Sequence, residues 1–128
     1  MKILGFGTDL VNLERFDKIL KKNKKFLNRI YTYNEKKKCS QKSNKVNCFA
    51  KRFAAKEAFS KALGTGISKG LTFKGIEILN DLKGKPEIHL DKMNSNIVKK
   101  IFKTEKYEIF LTLSDETPFV LASVIIAK

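Results

Sequence analysis

Residues 2–10, KILGFGTDL, place Ile3, Gly5, Gly7 and Asp9 on one side and Leu4, Phe6, Thr8 and Leu10 on the other. A period of two predicts a strand, and a face this small implies that something approaches it closely. From residue 14 to residue 30 the period becomes helical, with Phe16, Ile19, Leu20, Leu27 and Ile30 as the apolar stripe. Asn23 interrupts that stripe and leaves open whether it is one helix or two. Residues 34–47, NEKKKCSQKSNKVN, are polar and predict a helical turn followed by a mobile loop. Residues 48–63, CFAKRFAAKEAFSKAL, are strong helix formers, and Gly64-Thr65-Gly66 ends that helix with Gly64 as its left-handed cap. Residues 71–79 predict a strand, and Gly84-Lys85-Pro86 turns into a short strand over Glu87–Leu90. Asp91 is placed to cap a helix from about residue 92 to 103, with Met93, Ile97, Ile101 and Phe102 facing inward. The last third reads as a hairpin. Ile109, Leu111 and Leu113 alternate, residues 114–118 turn, and Phe119–Ala127 return as a nearly all-apolar buried strand.

Strands and helices in this order, without repeats or linkers, predict an α+β fold in a single domain over residues 1–128. A chain this short buries a modest share of its surface, so association would help it. No apolar run approaches the roughly 18 residues of a membrane span, and the start, Met1 to Gly5, is too weakly apolar to read as a secretory signal. Cys39 and Cys48 have no CxxC pairing and no companion histidine, so neither a disulfide nor a zinc site is expected, and a reducing cytosol is the expected setting.

The net charge of +14 is unevenly placed. Between Arg15 and Lys61, 16 Lys and Arg stand against Asp17, Glu35 and Glu57 alone, and the rest of the chain is nearly neutral. Such polarity implies an anionic partner: nucleic acid, a membrane, a phosphorylated cofactor or an acidic protein. Arg15, Lys18, Lys22, Lys25 and Arg29 recur at steps of three and four, which stacks five cations on one helical face.

Candidate chemistry concentrates on the central helix. Ala50, Ala54, Glu57 and Lys61 share a face, small residues first and then a carboxylate and an ammonium. Glu57 and Lys61 are equally readable as a surface pair at i,i+4. Asp9 adds weight to the functional reading, because an ionised carboxylate on an apolar strand is costly unless paired or bound to a metal. Two carboxylates with a cationic rim suit Mg²⁺, which takes one or two protein carboxylates and leaves its other positions to waters and phosphate oxygens. Gly64-Thr65-Gly66 offers backbone N–H groups to a phosphate but lacks the Walker pattern, and helix capping explains it as well. His89, the only histidine, lies in an expected edge strand, and no nucleophilic triad is in view.

GFGTDL near the start, AKRFAAKEAFSKALGTGI in the middle and TLSDE before the terminal apolar strand closely resemble the bacterial holo-acyl-carrier-protein synthases, the small trimeric 4'-phosphopantetheinyl transferases. The resemblance runs from Ile3 to Ile126 in matching order. It implies an antiparallel sheet packed on a long central helix, a homotrimer, and Mg²⁺-dependent transfer of 4'-phosphopantetheine from coenzyme A to a serine of apo acyl carrier protein. Asp9 and Glu57 would hold the metal and Lys61 would contact the phosphates. Arg52, Gly64-Thr65-Gly66 and Gly84-Lys85-Pro86 would contribute to a coenzyme A pocket between subunits. The serine proton would pass to Glu57 directly or to a carboxylate acting through a water, and adenosine 3',5'-bisphosphate would leave. Arg15, Lys18, Lys22, Lys25 and Arg29 would dock the acidic helix of the carrier protein. Some family members carry a histidine where this chain has Asp115, so no role carries over to that position. A basic nucleic-acid-binding module is the rival reading, with Phe26, Tyr31 and Tyr33 among the cations. It leaves Asp9 in a strand and Glu57 beside Lys61 unexplained.

Overall fold

The computed structural model describes all 128 residues. In chain order the elements are β1 (Ile3–Asn12), α1 (Leu13–Lys22), α2 (Phe26–Ile30), α3 (Tyr33–Ser40), α4 (Lys45–Leu63), β2 (Ile76–Asn80), β3 (Pro86–Leu90), α5 (Lys92–Phe102), β4 (Glu108–Glu116) and β5 (Phe119–Ala127). The apolar β5 lies between β1 and β4 in an antiparallel sheet of order β1-β5-β4, while β2 and β3 form a separate antiparallel hairpin. The α+β expectation holds, with α4 laid across the inner face of the three-stranded sheet.

The small face of β1 explains how α4 gets so close. A methyl group built on Gly5 would lie 1.9 Å from the Ala62 carbonyl oxygen, and one on Gly7 would lie 2.2 Å from that of Ala58. What approaches the strand is therefore the helix backbone itself. Ala50 and Ala54, which could have left room for a ligand, are instead fully buried in the core. Val120, Ala122, Val124 and Ile126 of β5 supply the opposing buried surface. The other face of the same sheet is apolar yet open: Phe6, Ile125 and Phe110 share one cross-strand row, and Leu10 pairs with Leu121 in another, with Phe6 and Leu10 each more than half exposed.

Several boundaries differ from the sequence reading. Asn23 does break the first helix, so Arg15, Lys18 and Lys22 stand on α1, while Lys25 caps α2 and Arg29 lies within it. The five cations thus do not form one continuous helical stripe. The polar stretch after residue 32 holds a complete helix, α3, because Thr32 and Glu35 make a reciprocal capping box, and α4 begins at Lys45 rather than residue 48. The expected strand over 71–79 is confined to Ile76–Asn80. Asp91 caps α5 as expected, its carboxylate accepting from the Asn94 amide at 2.8 Å, but Val98 is buried there and Met93 is exposed. The final turn is shorter than predicted, with pairing continuing to Glu116↔Phe119.

Cys39 and Cys48 are joined as a disulfide, contrary to the sequence reading. The extra helix α3 is the reason: it folds back so that its last turn meets the first turn of α4, bringing the two Cα atoms within 5.4 Å.

Candidate functional site

Asp9 lies on the helix-facing side of β1, in register with Ala122 of β5, two positions beyond Gly7. Since Gly7 has no side chain, the stem of Lys61 passes over it; the Lys61 Cβ is 3.0 Å from where a Gly7 methyl would sit. The Lys61 ammonium then donates to the Asp9 carboxylate and to the Thr8 carbonyl, both at 3.0 Å. Glu57, one turn earlier on α4, faces the same cleft as Asp9. Both line a cavity of about 220 Å³ whose other walls include Arg15, Phe16, Ile19 and Phe53. Asp9, Glu57 and Lys61 are therefore assembled as the sequence reading expected, and Arg15, from the basic segment, reaches their rim.

Burial, reinforced by the Asp9 carboxylate and opposed by Lys61, raises the Glu57 carboxyl above its ordinary value. The two acids repel each other, while Lys61 on Asp9 and Arg15 at the rim give their cleft a cationic edge. The structure contains no cluster of three or more His, Cys, Asp or Glu side chains; two carboxylates suffice for Mg²⁺, whose remaining ligands are waters and phosphate oxygens.

A second and larger cavity, about 550 Å³, opens at the other end of α4. It lies among the α3–α4 loop, the start of α4, the β2–β3 turn and β4, and is lined by Lys42, Lys51, Arg52 and Lys85 with no acid. Arg52 is buried; it donates to the Cys48 carbonyl at 3.4 Å, to Cys48 Sγ at 3.1 Å and to Asn80 Oδ1 at 3.1 Å. Its Nε has no partner. Burial lowers the Arg52 pKa, against the opposing pull of Glu35 and Tyr31. Asp115, at the rim, accepts from Lys51 at 2.6 Å and from Asn47 at 3.2 Å.

Arg52, Gly84, Lys85 and Pro86 are thus brought together. Gly64-Thr65-Gly66 is not with them: it ends α4 at Leu63, with Gly64 and Gly66 in the left-handed region, about 18 Å along the helix from Arg52 at 1.5 Å per residue. The pocket implied for Arg52, the glycine turn and Gly84-Lys85-Pro86 lies between subunits, and in one chain these residues fall toward opposite ends of α4. Sequence reasoning passed over Lys42, Asn47 and Lys51, which resemble ordinary polar surface. For Asn47 and Lys51 the signal was helical spacing, since they stand one turn apart on the face that also carries Cys48 and Arg52; Lys42, in the α3–α4 loop, gave none. His89 is half exposed beside Glu87, with no role in either cavity.

Comparison with known proteins gives one consistent result. A holo-[acyl-carrier-protein] synthase from Pelagibacter ubique is 44% identical over 128 residues, covering 100% of this chain and 99% of the relative. One from Wigglesworthia glossinidia brevipalpis is 45% identical over 131 residues, covering 98% and 92%. The crystal structure of the synthase from Neisseria meningitidis matches with a TM-score of 0.87 at 40% identity, over 98% of this chain and 99% of that one. The Bacillus anthracis synthase, solved in complex with CoA (3',5'-ADP), matches with a TM-score of 0.81 at 35% identity over 100% and 99%. The family model for the 4'-phosphopantetheinyl transferase superfamily matches residues 5–112. By sequence, by fold and by the order of its motifs, the chain belongs to the 4'-phosphopantetheinyl transferase superfamily.

Proposed function

We propose that the chain is a holo-[acyl-carrier-protein] synthase, moving the 4'-phosphopantetheine arm of coenzyme A to a serine of apo acyl carrier protein and releasing adenosine 3',5'-bisphosphate, in cytoplasmic fatty acid biosynthesis. The observation that carries the reading is that Asp9 and Glu57 face one cleft with Lys61 bonded to Asp9. Asp9 and Glu57 would hold Mg²⁺, which supplies charge neutralisation of the pyrophosphate; the acids' oxygen donors and mutual repulsion fit that ion.

The chain's own residues do the rest. Lys61 presents a cation at the edge of the cleft and orients the Asp9 carboxylate. Glu57, facing the cleft, would take the proton of the attacking serine hydroxyl, directly or through a water. Phe16, Ile19 and Phe53 keep the cleft wall apolar, which strengthens every charge interaction within it. Arg15, Lys18, Lys22, Lys25 and Arg29 would receive the acidic carrier protein, with Arg15 nearest the chemistry.

The cation-lined cavity around Arg52, Lys85 and Pro86 would hold the anionic nucleotide end of coenzyme A. Because Gly64-Thr65-Gly66 and the two acids lie away from it, a complete site requires that a second copy of the chain set its nucleotide cavity beside this copy's cleft. The open apolar sheet face bearing Phe6, Leu10, Phe110 and Leu121 supports self-association, and a homotrimer is the expected assembly.

The test is an intact-mass spectrum of apo acyl carrier protein after incubation with coenzyme A, Mg²⁺ and this chain. Addition of the arm is expected with the wild type and not with Glu57→Gln. No addition by the wild type, or full addition by the variant, overturns the reading.

A further inference from the structure

The larger cavity carries a sulfur in its wall. Cys48 lines it and is 6% exposed, whereas Cys39, its disulfide partner, is fully buried. Between the two lie Lys42, Ser43 and Asn44, which also line the cavity. The backbone hydrogen bonds of residues 41–44 reach no further than residues 38–48, so among those bonds nothing distant in sequence ties the loop down. The disulfide is its one covalent tether. The same sulfur accepts a hydrogen bond from Arg52 at 3.1 Å, so the disulfide joins the loop that carries Lys42 to the buried Arg52 side of the cavity.

We infer that Cys39–Cys48 is a redox modification site that sets the affinity of the cavity for its anionic ligand. With the bridge closed, the loop is pre-organised against the cavity; with it open, ordering the loop becomes part of the cost of binding. The inference rests on the reading of this cavity as the nucleotide pocket. The chemistry balances with a dithiol reductant. One of its thiolates attacks Cys48 Sγ, the sulfur facing the cavity, and the Cys39–Cys48 bond breaks as Cys39 leaves and takes a proton. The second thiolate of the reductant then attacks the mixed disulfide and closes the reductant's own bridge, and Cys48 leaves as a thiolate beside the Arg52 guanidinium, which favours that form. Two electrons pass to the protein and the dithiol becomes a disulfide. Structural disulfides are uncommon in a cytosol, whereas redox-responsive ones occur there. Linkage makes the effect reciprocal: a ligand that binds the closed form better, and covers Cys48, protects the bridge from reduction.

Adenosine 3',5'-bisphosphate is the appropriate probe, because it has no thiol to exchange. Its affinity is measured by calorimetry on the full chain in oxidised and dithiol-reduced forms, the state of each verified by alkylation and intact mass. The reduced form is expected to bind about tenfold more weakly, the cost of ordering one or two loop side chains on binding. Cys39→Ser is expected to bind like the reduced wild type with or without dithiol. The ligand is expected to slow reduction of the wild type. Equal affinity of the two forms overturns the redox inference and leaves the nucleotide pocket standing. Binding by neither form overturns the pocket, and the inference falls with it. Should Cys39→Ser fail to fold, the oxidised-against-reduced comparison decides alone.

Discussion

Lys56 and Glu35 meet at 2.8 Å with neither side chain exposed to solvent, one position before Glu57 in the chain. Lys56 also donates to the carbonyls of Phe73 and Ile76, while Glu35 accepts from the amides of Thr32 and Ile78. This pair therefore fastens α4 to α3 and β2, and fixes the rotation of α4 that points Glu57 into the cleft. Removing one partner strands the other charge in a dry interior, which typically costs about 3–5 kcal/mol. Lys56→Met and Glu35→Leu are each expected to lower the unfolding free energy, measured by denaturant titration, by an amount of that order. A change below about 1 kcal/mol, within the range of an exposed pair, would show that the network does not hold the helix.

Gly7→Ala tests the contact between β1 and α4. The added methyl would fall 2.2 Å from the Ala58 carbonyl oxygen and 2.6 Å from the Ala62 amide nitrogen, both backbone atoms that cannot turn aside. Overpacking of this kind usually costs about 1–3 kcal/mol. Here it must also shift Asp9 relative to Glu57, so transfer activity is expected to fall more steeply than stability. A folded variant with wild-type activity would contradict the close-approach argument.

Glu57 gives a prediction whose sign runs against intuition. Its folded-state pKa is raised, by burial first and by Asp9 second. Folding therefore favours the protonated form, and the associated stability is present at acid pH and is lost as pH rises from the ordinary carboxylate value through the raised one. Without added metal, Glu57→Gln is expected to be at least as stable as the wild type at neutral pH, though inactive. Thermal melts of both proteins from pH 4 to pH 8 check this; the gap should widen towards neutrality and close towards acid.

Arg15 and Lys22 both lie on α1, with Arg15 lining the cleft that holds Asp9 and Glu57. Reversing both charges is expected to lower kcat/KM for the carrier protein by roughly tenfold at low ionic strength, with the deficit shrinking as salt is added. An unchanged rate at low salt would move the docking surface elsewhere.

The sequence revealed the Asp9–Glu57 cleft more fully than the cavity around Arg52. Asp9 is conspicuous because a charge on an apolar strand demands a partner, and Glu57 and Lys61 are linked by helical spacing, but it was the family resemblance that joined Asp9 to Glu57 before any coordinates. Ala50 and Ala54 misled, because smallness serves helix–core packing as readily as ligand access. The Glu35–Lys56 pair could not be seen: in a chain so rich in lysine, nothing local distinguishes a buried ammonium from a solvated one. The disulfide stayed hidden for a related reason, since its geometry depends on α3, whose polar sequence concealed a helix that its capping box stabilises.

The central claim is that Asp9 and Glu57 act as one metal site, and direct binding of Mn²⁺, followed by its electron paramagnetic resonance signal with Mg²⁺ as competitor, tests it with no turnover involved. In the presence of adenosine 3',5'-bisphosphate, the wild type is expected to bind the ion and to release it to Mg²⁺, while Asp9→Asn and Glu57→Gln each weaken binding severely. Wild-type binding by either folded variant would contradict the account.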